Sequence, residues 1–202
     1  MTRENFKCDL AIVGGGLAGG LIALALARLR PELKIVLIEQ GESFGGNHIW
    51  SYFASDILPE HRWLTAPLVT YGWSGYEVKF PAHARELDNI YYTIESERLD
   101  WVLRHNLPKD ALMPGRVVKS VSPRLVVLDG AQRINAGGVI DARGGGDLNH
   151  LDCGWQKFTG QLMQLSEPHN LTKPIVMDAT VEQYDGYRFV YVLPFGMDKI
   201  FI

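Results

Sequence analysis

The chain has 202 residues, of which 47% are hydrophobic and 21% charged, a balance that excludes a disordered protein and allows one full core and the start of a second. A formal net charge of −3 with no basic cluster leaves no footing for a nucleic-acid partner. Cys8 and Cys153 are too few and too far apart for a zinc site or a disulfide framework, so no metal is expected and a reducing cytoplasm fits.

Leu10 to Val13 is a short apolar run suited to a buried parallel strand. It breaks into Gly14, Gly16 and Gly19, the G-x-G-x-x-G spacing of a dinucleotide-binding turn. Gly14 permits the sharp strand-to-helix turn, Gly16 leaves room for a pyrophosphate, and Gly19 lets the helix lie close on the sheet. The spacing of Leu and Ala predicts a helix over 17–29, which Pro31 stops, and a second strand over 33–38 that ends on Glu39. The helix N-terminus would face phosphates, and Glu39, twenty residues after Gly19, would accept hydrogen bonds from an adenosine ribose. A carboxylate there also repels a 2′-phosphate, which disfavours NADP. The uncharged run Leu10 to Ala27 mimics an export signal, but the glycine turn between strand and helix explains it better. Glu39 is followed after five residues by Gly45-Gly46. This E-x5-G-G extension resembles the FAD-binding signature of amine oxidases, carotenoid desaturases and lycopene cyclases, so FAD is the expected cofactor.

Residues 47–90 form an aromatic excursion, irregular up to 75 and punctuated by Pro59, Pro67 and Pro81. His48 and Trp50 are its candidate substrate contacts. The plainer reading is a solvent-facing or backbone-bonded His48, and rings that serve as local core. Alternation predicts strands over 76–81 and 90–94, then Ser96 as N-cap of a helix over 97–106. Arg98 in its first turn is placed to face cofactor phosphates or solvent. A small β-meander over 116–136 comprises strands at 117–121, 125–128 and 132–134 with a turn at Asp129-Gly130, inserted as a crossover. Gly137 to Ala142 returns as a buried strand whose end, Asp141 to Gly144, is expected beside the cofactor by analogy with flavoproteins. Gly144-Gly145-Gly146 is a flexible exit.

Strands at 155–165, 175–177, 187–193 and 199–202, with no helix between them, predict an antiparallel substrate wall. The expected fold class is therefore α/β: an FAD-binding, Rossmann-like domain over 1–150 and the beginning of an antiparallel β substrate domain over 151–202. Because Ile202 falls inside a strand pattern, the chain is expected to be the amino-terminal part of a longer protein, incomplete at its C-terminus.

Gly14 to Gly19, Gly45-Gly46-Asn47-His48 with Trp50-Ser51, Val139 to Gly144, Pro174 to Thr180, and Tyr187 to Tyr191 with Pro194 together resemble the bacterial lycopene β-cyclases. The resemblance runs through the whole chain. It implies cyclisation of lycopene ends to γ- and then β-carotene without net redox change, using reduced FAD with NAD(P)H as the reductant. An acid protonates the terminal double bond, the cation is attacked by the neighbouring alkene, and a ring proton is lost. Anionic flavin or aromatic faces would stabilise the cation. Lycopene and cyclic carotene intermediates would be the partners, reached by transient contact with a membrane from a cytoplasmic, peripheral position. The family's expected catalytic Glu stands in an F-x-E-x-T-like motif, of which Phe201-Ile202 are the first two positions, so it lies beyond Ile202 and the chain alone is expected to be inactive. Asp178 is the retained carboxylate in a family-specific stretch and the catalytic candidate here, set against a role in a strand-end turn. The alternatives are an FAD-dependent oxidoreductase of the polyprenyl reductase or hydroxylase type on the same fold, and an inactive fragment.

Overall fold

The apolar run after Lys7 extends into a longer strand than its hydrophobicity suggests, β1 (Phe6–Val13), buried at Cys8 and from Ala11 to Val13. The computed structural model describes residues 6–145, 149–154 and 156–202. In chain order β1 is followed by α1 (Leu17–Leu29), β2 (Ile35–Ile38), β3 (Ile49–Phe53), α2 (Arg62–Thr65), β4 (Tyr71–Trp73), β5 (Tyr76–Phe80), β6 (His83–Leu87) and β7 (Tyr91–Glu95). Then come α3 (Ser96–Asn106), β8 (Leu112–Met113), β9 (Val118–Ser122), β10 (Leu125–Leu128), β11 (Arg133–Asp141), β12 (Leu162–Gln164), β13 (Ile175–Asp178), β14 (Val190–Phe195) and β15 (Lys199–Phe201). These elements fall into two units, the first comprising residues 1–50, 60–69 and 94–152, the second 51–59, 70–93 and 153–202. The aromatic stretch after Trp50 thus contributes to both, whereas the sequence reading assigned all of it to a first domain ending at 150.

The first unit is built on a sheet of order β8-β2-β1-β11-β10-β9, with β8, β2, β1 and β11 parallel and β10 and β9 antiparallel. One face buries Ala11, Val13, Val36, Ile38, Val126 and Ile134 in a single apolar cluster. Ile12 and Leu37, of opposite parity and also fully buried, belong to the other face. There Ile12 meets α1 at Gly19, and α1 packs on α3, where a Cβ on Gly20 would stand 3.0 Å from Leu99. Leu99, Val102 and Leu103 are the buried stripe of α3.

Two expectations change here. The short strand at 132–134 and the returning strand at 137–142 are one continuous strand, β11, in parallel register with β1 from Phe6↔Ile134 to Val13↔Asp141. The meander at 116–136 is therefore an extension of the main sheet, not an insertion. Glycine at 137 is a matter of close approach, since a Cβ there would lie 2.8 Å from the Asp9 carbonyl oxygen. The N-cap of α3 is Glu95, and Ser96 is its first helical residue. Ser96 is buried and donates its N–H to the His48 carbonyl at 3.1 Å, so the small side chain serves packing.

The second unit carries a sheet of order β12-β15-β14-β13-β5-β6, antiparallel except where β13 runs alongside β5. Alternation along β14 divides its side chains. Val192 joins Ile175 and Ile200 in one cluster, while Phe195 stacks on Tyr71 with centroids 4.2 Å apart and planes at 8°. The strand expected over 155–165 is confined to β12; Trp155 lies outside the described residues, as does Gly146 in the expected exit. The edge strand β6, unanticipated because its His-Ala-Arg-Glu run is polar, is mostly exposed, and Lys173 reaches Glu86 on it.

Candidate functional site

The turn between β1 and α1 is constrained on every side. Gly14 adopts φ +104°, and a Cβ on it would meet the Ala142 carbonyl carbon and oxygen at 2.8 Å, so both conformation and space demand glycine. A Cβ on Gly19 would collide with the Gly14 carbonyl oxygen, which is the close helix–strand approach inferred from the spacing. Gly16 differs from both: a Cβ there meets nothing within 4 Å. Open space therefore lies beside the first turn of α1. Among the described residues no side chain caps that helix, and its first turn holds no acidic group. Unclaimed N–H donors, a positive dipole end and an open cradle make a site for an anionic group.

Glu39 follows β2 and points into this turn. Its Oε2 accepts the Gly15 N–H at 2.7 Å and its Oε1 accepts the Gly41 N–H at 2.9 Å. The carboxylate thus fastens the turn's own backbone, a role that the spacing does not announce. The glycine pair returns to the same place. Gly45 donates its N–H to the Gly15 carbonyl at 2.9 Å and adopts φ +86° against Ser96, while Gly46, at φ +64°, is exposed.

On the other side of the turn, β11 ends with Ala142 donating to the Val13 carbonyl at 2.7 Å, beside Asp141. Asp141 accepts from Arg143 Nε at 2.9 Å and Nη2 at 2.6 Å. That hydrogen-bonded guanidinium holds the Asp141 carboxyl below its usual range and raises its own pKa. Gly144 is exposed, with open space around it. Gly14, Gly16, Gly19, Glu39 and Gly45 are thus gathered around one turn, with the Asp141 to Gly144 segment leaving its edge.

Arg98 is engaged elsewhere. Its Nε donates to the Pro67 carbonyl at 2.8 Å and its guanidinium lies 4.7 Å from the Trp101 ring centroid. His48 is exposed and Trp50 half-buried, their ring centroids 5.5 Å apart. The backbone carbonyl of His48 accepts the Ser96 N–H.

Asp178 belongs to the second unit, at the end of β13. Its Oδ1 accepts from the Thr180 hydroxyl at 2.6 Å and from the Thr180 N–H at 3.1 Å. These bonds, the hydroxyl first, hold the carboxyl below its usual range. The turn-residue reading therefore describes its contacts, and the group is ionised at neutral pH.

A cluster in the second unit joins residues that no spacing connects, although Ser51 and Tyr191 stand in stretches that carry the family resemblance. Tyr91, Tyr191, Ser51 and Thr93 form one chain of hydroxyls, with contacts of 2.8, 3.0 and 2.9 Å in that order. Burial raises the pKa of both phenols. Around them Phe53, Tyr76 and Tyr91 pack with centroids 4.9 to 6.0 Å apart. Among the described residues no group of three or more His, Cys, Asp or Glu could hold a metal, and no helix is long and apolar enough to cross a membrane.

The family model for "Lycopene cyclase protein" matches residues 9–202. The chain is similar to the lycopene beta-cyclase of Pseudescherichia vulneris, 47% identical over 96% of this chain, and to that of Pantoea ananas, 44% identical over the same share. It spans about half the length of these curated relatives, 50% of each. Among solved structures it resembles PqsL of Pseudomonas aeruginosa, described as "a probable FAD-dependent monooxygenase", with a TM-score of 0.68 and 16% identity over 96% of this chain and 59% of that one. That likeness is one of fold: an α/β, Rossmann-like architecture with an added β-sheet.

Proposed function

This chain belongs to the lycopene cyclase family, and from that premise we propose that its activity is the FAD-dependent, redox-neutral cyclisation of lycopene ends to γ- and then β-carotene. The observation that carries the reading is the family match through residues 9–202, joined to relatives of 44% and 47% identity that bear that name. The turn supports the cofactor half of it. The open cradle at Gly16 and the uncapped start of α1 suit a pyrophosphate, and the Glu39 carboxylate, half-exposed, suits an adenosine ribose. Gly14, Gly19, Gly45 and Gly46 shape that site; Gly144 remains a proposed contact at its margin, and Arg98 one that would first have to leave the Pro67 carbonyl. Reduced FAD, with NAD(P)H as reductant, would supply electron density beside a cation without net oxidation.

Chemistry at the substrate requires a proton donor, a water-poor cavity and a proton acceptor. Asp178, whose carboxyl Thr180 holds below its ordinary value, suits the acceptor that removes the ring proton and not the acid that starts the reaction. His48 and Trp50 are proposed as substrate contacts, the Trp50 ring offering a face to positive charge. Lycopene is a hydrocarbon confined to membranes, so the proposed location is cytoplasmic and peripheral to a membrane.

The test is pigment extraction from a lycopene-accumulating bacterium that expresses the chain alone, or joined to the half of the P. vulneris relative that the match leaves uncovered. Cyclic carotenes from the joined protein are expected. Persistent lycopene from a folded, flavin-containing joined protein would refute the cyclase reading.

A further inference from the structure

We propose that Asp100 and Arg104 of α3 are positioning residues for the flavin nucleotide, clamping the segment between Glu39 and Gly46 against the glycine turn. The inference rests on the FAD reading above and extends it to residues that no G-x-G-x-x-G or glycine-pair spacing marks.

Asp100 faces the segment with both carboxylate oxygens occupied. Oδ1 accepts the Phe44 N–H at 2.8 Å, and Oδ2 accepts Arg104 Nε, one helical turn later, at 2.8 Å. Arg104 in turn donates from Nη2 to the Glu42 carbonyl at 2.9 Å and lies over the Phe44 ring, 5.5 Å from its centroid. The pair therefore holds the segment at two backbone points and one ring. The bond to Asp100 also raises the Arg104 pKa, so the guanidinium is charged throughout the working range.

What the clamp holds is the wall of the nucleotide turn. Phe44 is 1% exposed, and its Cδ1 would stand 2.5 Å from a Cβ on Gly15. The next residue, Gly45, bonds the Gly15 carbonyl, and the residue that opens the segment, Glu39, bonds the Gly15 N–H. Gly15 is thus gripped from both ends of a segment whose middle is anchored by Asp100 and Arg104. Releasing the middle frees Phe44 to leave Gly15, and with it the orientation of the Glu39 carboxylate offered to a ribose. The clamp touches the adenosine side of the site. It should govern FAD, which carries an adenosine, and leave FMN, which does not, unaffected.

The test titrates the joined protein described above, stripped of flavin, with FAD and with FMN by flavin fluorescence, for the wild type, Asp100→Asn, Arg104→Gln and Arg104→Lys. Expected is a rise of about tenfold in the FAD dissociation constant for Asp100→Asn and Arg104→Gln, partial recovery in Arg104→Lys, and unchanged FMN affinity. Far-UV circular dichroism confirms folding, and Arg104→Gln, at a surface position, carries the test should Asp100→Asn fail to fold. Unchanged FAD affinity in a folded variant, or equal loss for FAD and FMN, would overturn the clamp. A wild type that binds no FAD would overturn the flavin reading itself.

Discussion

The phenol oxygens of Tyr91 and Tyr191 stand 2.8 Å apart, joining two strands a hundred residues distant in sequence within the second unit. Tyr191 also reaches Ser51 at 3.0 Å, and Ser51 hydrogen-bonds the Tyr91 phenol as well, so the two rings share one serine hydroxyl. Tyr191→Phe and Tyr91→Phe each keep a ring and remove one hydroxyl from a buried network, at a cost of about 0.5–1.5 kcal/mol apiece. Urea unfolding should show a similar loss for both. Because both phenols titrate above their ordinary value, the folded state resists their ionisation. Their contribution is whole below the unfolded value of about 10 and falls as pH rises past it. A wild type whose stability is level from pH 9 to 11 would contradict this.

Glu39 has two backbone donors to satisfy before any ligand arrives. Glu39→Ala should therefore lower the stability of the free protein as well as its FAD affinity, each by about 1.5–3 kcal/mol for bonds to a charged acceptor. Thermal unfolding with and without added FAD separates the two effects. A variant with native stability would mean that the turn holds without its carboxylate.

The Thr180 hydroxyl is the leading cause that holds the Asp178 carboxyl below its ordinary value. Since the folded carboxyl titrates below its unfolded value of about 3.9, its contribution to stability is present above that pH and is lost as pH falls through the folded value. Thr180→Ala should move the Asp178 carboxyl resonance in an NMR titration upward, toward the ordinary range. An unmoved titration would assign the shift to something other than the hydroxyl. In a joined, active protein, Asp178→Asn should fold and retain flavin but cyclise poorly, whereas full activity would remove the base role.

The first strand, turn, helix and second strand were legible because each has a local signature: an apolar run, glycines at fixed spacing, a proline stop. What was illegible depends on partners far along the chain. Gly137 looks like a break until β1 is seen to pass 2.8 Å from where its Cβ would be. Ser96 looks like a cap until the His48 carbonyl and Gly45 are seen against it. Asp100 and Arg104 read as an ordinary surface pair four residues apart, and their purpose lies with Phe44, 56 residues earlier. The hydroxyl chain joins Ser51 to Tyr191 across 140 residues, and a single Ser or Tyr carries no periodicity from which to infer it.

Gly14 and Gly16 offer a sharper test of the nucleotide site than either alone, because they are glycine for different reasons. At Gly14 an added methyl enters a φ of +104° and overlaps the Ala142 backbone at 2.8 Å, so Gly14→Ala must deform the turn or the end of β11. Strain of that kind costs about 1–3 kcal/mol before the overlap is counted, and it should appear in the free protein. At Gly16 the backbone is extended, at φ −71° and ψ −171°, and the methyl would project into open space. Gly16→Ala should therefore unfold within about 1 kcal/mol of wild type, the residual loss reflecting alanine at an N-cap position. Its methyl would stand where the pyrophosphate is proposed to lie, so FAD affinity should collapse in a protein that is otherwise intact. Urea unfolding paired with flavin titration reads both quantities. Gly16→Ala that binds FAD normally would show that the open cradle beside α1 is not where the nucleotide sits.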